Sequence, residues 1–278
     1  MHYNVCIVRP PEYIHSDAFQ EIAELIKYSL NDCGKTCTIT DNSIYDDGSK
    51  NIIIGCHLLP PESITTVPAN SVILNTEQIC SAEAKWSQLI YFWTSQFETW
   101  DYSKRNIERL KEVSSQTIKH LKLGFHKNLR RIAEHEIKEF DVLFYGSLNQ
   151  RRIEVLEDLE RSGVNVKTVF GVYGAERDAL IAKSKIVLNM HYFESKIFEV
   201  VRVFYLMSNR KAVVCEVGPG THIDAEYRSG IGASPYENLA NTCIDLLNDE
   251  KKLKTLEDNA LDCIQHLPQS IFMARLLS

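Results

Sequence analysis

Two α/β domains, each built on a parallel sheet, are predicted by three observations. Short β-rich runs alternate with amphipathic helices along most of the chain, the pattern of βαβ crossovers. The series starts afresh after a polar segment near residues 127–140. The run "KIVLNM", Lys185 to Met190, is apolar throughout, as a strand covered on both faces is. The expected architecture is two Rossmann-like domains facing each other across a cleft, residues 1–126 and 127–278, with the last helix able to pack back on the first domain.

The first series opens with "NVCIVRPPEYIHSDAFQEIAELIKYSLNDCG". Its strand ends at Arg9, where Pro10 and Pro11 enforce an extended turn. Ser16 or Asp17 is placed to cap a helix in which Phe19, Ile22, Ala23, Ile26 and Leu30 recur at helical spacing, and Gly34 stops it. "TCTIT", "NIIIGC" and "SVILN" follow as short parallel strands, "YSKRNIERLKEV" as a charged helix and "IKHLKLGF" as a return to strand. The second series runs strand 141–145, helix 151–162, strand "VNVKTVFG", helix "ERDALIAKS" and strand "KIVLNM". A helix containing Glu199, the strand "KAVVCE" and one long helix from Tyr236 to His266 complete it.

The 278 residues are 44% hydrophobic and 24% charged, which suits folded domains rather than extensive disorder. A net charge of −6 argues against a chain-wide footprint for nucleic acid or anionic lipid and leaves room for a local basic cleft. The eight cysteines lack paired CxxC spacing. No apolar run approaches the ~20 residues of a membrane span. Met1 leads directly into a strand without the regions of a signal peptide, so a cytoplasmic protein with reduced thiols is expected.

Open α/β sheets bind ligands in the crevice at the carboxyl ends of their strands, so residues just after strands are the ones to search. In "FYGSLNQRR", Gly146 and Ser147 turn the chain tightly, and Arg151 and Arg152 fall in the first turn of the next helix. Cations there oppose the helix dipole. A bound anion reconciles them, because free N–H groups and two guanidinium forks together suit a diphosphate; a solvated arginine pair is the plain alternative. In "KIVLNMHYFESKIFEVVR", His191, Tyr192 and Glu194 occupy the junction after the strand, with Glu199 and Arg202 one helical turn apart beyond it. Glu199 can offer two acceptor oxygens to a vicinal diol such as ribose, and Arg202 can turn to phosphate. A simple i,i+3 ion pair competes with that reading. Tyr173, between Gly171 and Gly174, suits contact with a nucleobase, or marks an ordinary surface turn. In the first half His15, His57 and Glu77 follow strands and are candidate base or sugar contacts, with a capped or solvated residue the alternative for each. No Walker loop, no GxGxxG and no cluster with metal-ligand spacing occurs.

"FYGSLNQRR", "VFGVYGAERDALIAKSKIVLNMHYFESKIFEVVR" and "KAVVCEVG" resemble the donor-binding domain of GT-B glycosyltransferases of a compact bacterial and phage type. "RPPEYIHSDAFQEIAELI", "ILNTEQI" and "ETWDYSKRNIERL" look like the matching acceptor domain. The resemblance implies transfer of a sugar from a nucleotide-diphosphate donor, most often a UDP-sugar, to a hydroxyl acceptor, with no metal and no other cofactor. It implies that Arg151 or Arg152 grips the diphosphate, that Glu199 binds ribose, and that Glu194 takes the place of a carboxylate nearer the sugar. Gly146, Ser147, Asn149, Tyr173, His191 and Arg202 complete the expected donor site. An inverting enzyme draws its base from His15 or Glu77, whereas a retaining one relies on the donor's own phosphate oxygen. Retaining members often carry two Glu separated by seven residues. Counted on from Glu199 the second falls on Met207, so the stereochemical outcome stays open. A glycan, a small molecule or a modified nucleotide in DNA would each serve as acceptor, and the oligomeric state is not set by these motifs. The competing readings are a nucleotide-sugar epimerase of the same fold and a non-catalytic nucleotide-sugar-binding protein.

Overall fold

The computed structural model describes residues 1–79, 85–193 and 195–278. They divide into two compact units, Met1–His126 together with Pro268–Ser278, and Lys127–Leu267.

In the first unit, β1 (His2–Ile7), β2 (Thr36–Asp41), β3 (Lys50–Ile54), β4 (Val72–Asn75), β5 (Glu98–Asp101) and β6 (Ile118–His120) pair in parallel in the order β2-β1-β3-β4-β5-β6. Val5, Ile7, Ile52, Ile53, Ile54 and Ile73 of this sheet are fully buried, and α1 (Gln20–Asp32), α2 (Lys85–Thr94) and α3 (Lys104–Val113) follow β1, β4 and β5. The expected cap of α1 takes another form. A 3-10 turn over Ile14–Phe19 precedes the helix, and the Ser16 hydroxyl donates to Val8 O at 2.7 Å, while Asp17 pairs with Arg9. Both side chains serve the end of β1 instead of the helix. The C-terminal helix, Gln269–Leu277, which the periodicity reading passed over, packs on α1.

In the second unit β7 (Phe140–Tyr145), β8 (Val166–Val169), β9 (Ser184–Asn189), β10 (Ala212–Glu216) and β11 (Gly232–Ser234) are parallel, in the order β11-β10-β9-β7-β8. Helices α4 (Gln150–Arg161), α5 (Gly174–Lys183) and α6 (Val200–Ser208) follow the first three strands. Val142, Phe144, Ile186, Leu188 and Val214 of the sheet pack with Val155 and Leu159 of α4. The single helix expected from Tyr236 to His266 is two, α7 (Leu239–Leu247) and α8 (Glu250–Gln265). The break falls at Asn248-Asp249, because the Asp249 carboxylate accepts the Lys252 N–H at 3.0 Å and starts a new helix in place of continuing the old one.

Both sheets therefore reverse direction next to their first strand, between β1 and β3 and between β7 and β9. In doubly wound sheets that reversal opens a crevice beyond the strand ends.

Candidate functional site

The second crevice is lined by the chain after β7 and after β9. Gly146 turns with φ +144°, a region L side chains avoid. A Cβ there would meet Arg202 Nη2 at 3.3 Å and Arg152 Nη1 at 3.6 Å, so glycine lets two guanidinium groups close on one stretch of backbone. Arg152 is 4% exposed. It donates to Ser147 O at 2.8 Å and to Met190 O, and its Nε is buried without a hydrogen-bond partner. Its acceptors are thus carbonyls, not carboxylates. Arg202 donates to Asn189 Oδ1 at 3.1 Å and lies 4.7 Å above the Tyr145 ring. Burial, and then the charge of Arg202, push the Arg152 guanidinium down to about 10. A buried cation without close compensation is costly. Two such forks side by side present donors suited to the oxygens of an anion.

The adjacent arginine is spent differently. Arg151 forms a bidentate pair with Glu216 at the end of β10, Nη1 to Oε2 at 2.7 Å and Nη2 to Oε1. It also stacks on Tyr236, 3.8 Å from the ring centroid, and donates to His191 O at 3.2 Å. Glu216 accepts the His191 backbone N–H at 3.0 Å, so one ion pair clamps both polar groups of the His191 main chain. Arg151 and Arg152, equal candidates for the anion by sequence, thus stand in different surroundings. The cationic partner of Arg152 is Arg202, because β10 brings a carboxylate to Arg151. Asn149 caps α4 by accepting the Arg152 N–H at 3.0 Å and donates to Tyr192 O at 3.2 Å, so Asn149 and Ser147 shape the turn around Arg152.

Glu199 is the N-cap residue of α6. Its Oε2 accepts from Asn189 Nδ2 at 3.1 Å and its Oε1 lies 3.2 Å from His191 Nδ1. Burial favours the neutral acid, but His191, Arg202 and Asn189 outweigh it and hold Glu199 below the usual carboxylate range. His191 is itself only 2% exposed, so it acts behind Glu199 rather than on the open surface. Seven residues separate His191 from Glu199, the spacing that sequence counting followed only forward; Met207 is a core side chain. Tyr173, at the N-cap of α5, is half-buried between Gly171 (φ +71°) and Gly174 (φ +55°). Glu194 lies outside the described residues.

In the first unit the crevice begins at Arg9, which is held by Asp41 at 2.6 Å, by Asp17 and by Gln20 at 3.3 Å. His15 meets Tyr13 edge-on at 5.3 Å. His57 follows β3; burial lowers its pKa and Glu77 opposes that. Glu77 also acts, after burial, to raise Tyr13 and Cys56. The Glu77 main chain is pinned: its C=O accepts from Asn75 Nδ2 at 3.0 Å and Asn106 Nδ2 at 2.8 Å. Both amides also donate to Asp101, a fully buried carboxyl that burial pushes up to about 7 against the donors of Asn75, Ser103 and Asn106. Sequence reading missed this cluster. The signal available was polar Asn75 and Asp101 ending buried strands that pair in register.

No family model matches the chain. "Uncharacterized protein L140" of Acanthamoeba polyphaga mimivirus is 26% identical over 212 residues, 74% of this chain and 68% of that protein. "Uncharacterized protein L137" of the same virus is 29% identical over 168 residues, 58% of this chain, and "Uncharacterized protein L138" is 24% identical over 239 residues, 84% of this chain. The chain spans only 22% and 26% of those two longer relatives. Among solved structures, a sucrose-phosphate synthase from Thermosynechococcus elongatus superposes with TM-score 0.64 at 12% identity, covering 100% of this chain and 98% of that one. Anabaena HepE in complex with UDP gives TM-score 0.58 at 13% identity over 100% and 98% of the two chains. AviGT4, a glycosyltransferase involved in avilamycin A biosynthesis, gives 0.55 at 10% identity over 100% and 96%. The fold is that of GT-B glycosyltransferases. Among the described residues no helix is long and apolar enough to cross a membrane.

Proposed function

We propose that the protein is a glycosyltransferase that takes a sugar from a nucleotide-diphosphate donor, a UDP-sugar, held by the Lys127–Leu267 unit. One observation carries the reading: Arg152 and Arg202 meet around Gly146 at the reversal of strand order, beside Glu199 at the start of α6. The diphosphate lies against the two guanidinium groups and the N-terminus of α4. The ribose diol meets Glu199, whose carboxylate accepts hydrogen bonds from hydroxyls. Tyr173 contacts the base. HepE, of the same fold, forms complexes with UDP and with UDP and glucose, which supports the choice of nucleotide.

As the bond from the sugar to the diphosphate breaks, negative charge grows on the departing phosphate oxygen. Arg152, Arg202 and the helix dipole stabilise that charge from fixed positions, so the chemistry proposed calls for no metal. The acceptor hydroxyl gives up its proton as it attacks. In an inverting route Glu77 or His15 receives it. Free thiols at Cys6, Cys33, Cys37, Cys56, Cys215, Cys243 and Cys263 fit a reducing, cytoplasmic setting.

Calorimetric titration with UDP, UMP and uridine tests the site. Affinity is expected to rise with each phosphate, and equal affinity for uridine and UDP would refute the arginine assignment. A panel of nucleotide sugars then tests the reaction. A transferase, or its slow hydrolysis, releases free nucleotide; an epimerase returns an altered nucleotide sugar, and a pure binding protein returns the donor unchanged.

A further inference from the structure

We infer that Thr221 and His191 form a hydrogen-bond relay that fixes the orientation of Glu199 toward the donor's ribose, a role that rests on the donor reading above. Three contacts define it: Gly218 N–H donates to Thr221 Oγ1 at 3.2 Å, Thr221 Oγ1 lies 3.2 Å from His191 Nε2, and His191 Nδ1 lies 3.2 Å from Glu199 Oε1. All members are buried or nearly so, Thr221 at 8% and His191 at 2% exposure.

Only one arrangement of hydrogens satisfies every partner. The Glu199 carboxylate can only accept, so His191 Nδ1 carries a hydrogen. Gly218 N–H can only donate, so it fills one lone pair of Thr221 Oγ1, whose own hydrogen then points at His191 Nε2. The relay thus runs Gly218 N–H to Thr221 O–H to His191 to Glu199, with His191 a neutral Nδ1–H tautomer. The other neutral tautomer sets the Nδ1 lone pair against a carboxylate oxygen 3.2 Å away and leaves the Thr221 hydrogen without a partner in the relay. An imidazolium donates from Nε2 into the second lone pair of Thr221 Oγ1 and leaves the Thr221 hydrogen without a partner in the relay. The main chain of His191 is held independently by Arg151 and Glu216, so the ring is free to serve the relay alone. The Asn189 amide holds the other Glu199 oxygen. The Gly218–Thr221 turn, closed by Thr221 N–H to Gly218 O at 3.0 Å, therefore acts on the ribose site from the far side of β9 without touching the ligand. Thr221 and His191 are positioning residues.

The test compares the 278-residue chain with Thr221→Val and Thr221→Ser, each checked for an unchanged melting temperature. Affinities for UDP and for 2′,3′-dideoxy-UDP are measured by calorimetry, and the His191 tautomer by nitrogen-15 NMR, assigned by the signal lost in His191→Gln. The parent is expected to prefer UDP about tenfold, on the scale of one net hydrogen bond to a charged group, and to show the Nδ1–H tautomer. Thr221→Val is expected to bring the preference toward unity and to mix the tautomers, and Thr221→Ser to restore both. An unchanged preference in Thr221→Val, or an Nε2–H tautomer in the parent, overturns the relay. A parent that binds UDP without preferring it to the dideoxy analogue overturns the ribose role of Glu199 while sparing the diphosphate site. A parent that binds neither nucleotide removes the donor reading itself, and the tautomer then judges the relay alone.

Discussion

Arg9 and Arg152 stand at comparable places, each just past the first strand of a parallel sheet where the strand order reverses. Their surroundings differ. Arg9 is partly exposed and neutralised by Asp17 and Asp41. Arg152 is buried, bonded only to carbonyls and set beside a second arginine. Topology supplies a crevice in both units, but the charges that converge there decide whether it suits an anion. The buried carboxyls divide in the same way. Asp101 in the first unit is surrounded by neutral donors and its pKa is raised, whereas Glu199 in the second has the Arg202 cation near it besides the hydrogen bonds of His191 and Asn189, and its pKa is lowered.

The largest effect expected from breaking this contrast is on stability. Arg151→Met leaves Glu216 buried without its partner and is expected to cost about 3 kcal/mol in urea unfolding, the low end for a broken buried pair because Arg151 keeps some exposure. A loss below about 1 kcal/mol would show that the clamp on His191 is not structural. Next, Arg152→Ala is expected to weaken UDP binding by about 1.5–3 kcal/mol. A variant with parental affinity by calorimetry would move the anion elsewhere.

A smaller effect separates the two carboxyls by the sign of their pH dependence. For Asp101 the folded pKa of about 7 exceeds the unfolded value near 3.9, so its contribution to stability declines as pH rises from about 4 to about 7. For Glu199 the folded pKa is depressed, so its contribution is present above the ordinary carboxylate range and is lost as pH falls through it. Melting temperatures of Asp101→Asn and Glu199→Gln, each relative to the parent, should diverge across that range. Parallel curves would mean that one carboxyl has been misjudged. The smallest effect is expected from Arg9→Ala, within about 1 kcal/mol of stability and with UDP affinity unchanged, since its ion pairs are open to solvent. A loss of UDP binding there would erase the distinction between the two crevices.

Much of this is legible in the sequence. The glycine turn at Gly146, the cations after β7 and the glutamate opening α6 stand within short stretches whose spacing expresses backbone geometry. The break at Asn248-Asp249 was missed because helical periodicity continues across it, and the cap is made by one side chain. The cap expected of Ser16 failed for the opposite reason, since a buried carbonyl at Val8 competed for its hydroxyl.

By itself the sequence determined two α/β halves, the order of their strands along the chain and the turn that bears the arginines, because periodicity, glycine and proline act over a few neighbouring residues. Only the tertiary structure decided which charges meet: Glu216 with Arg151 across 65 positions, Arg202 with Arg152, and Thr221 with His191 across 30. Those meetings depend on the lateral order of strands in a sheet, and lateral order joins residues whose separation along the chain carries no local pattern.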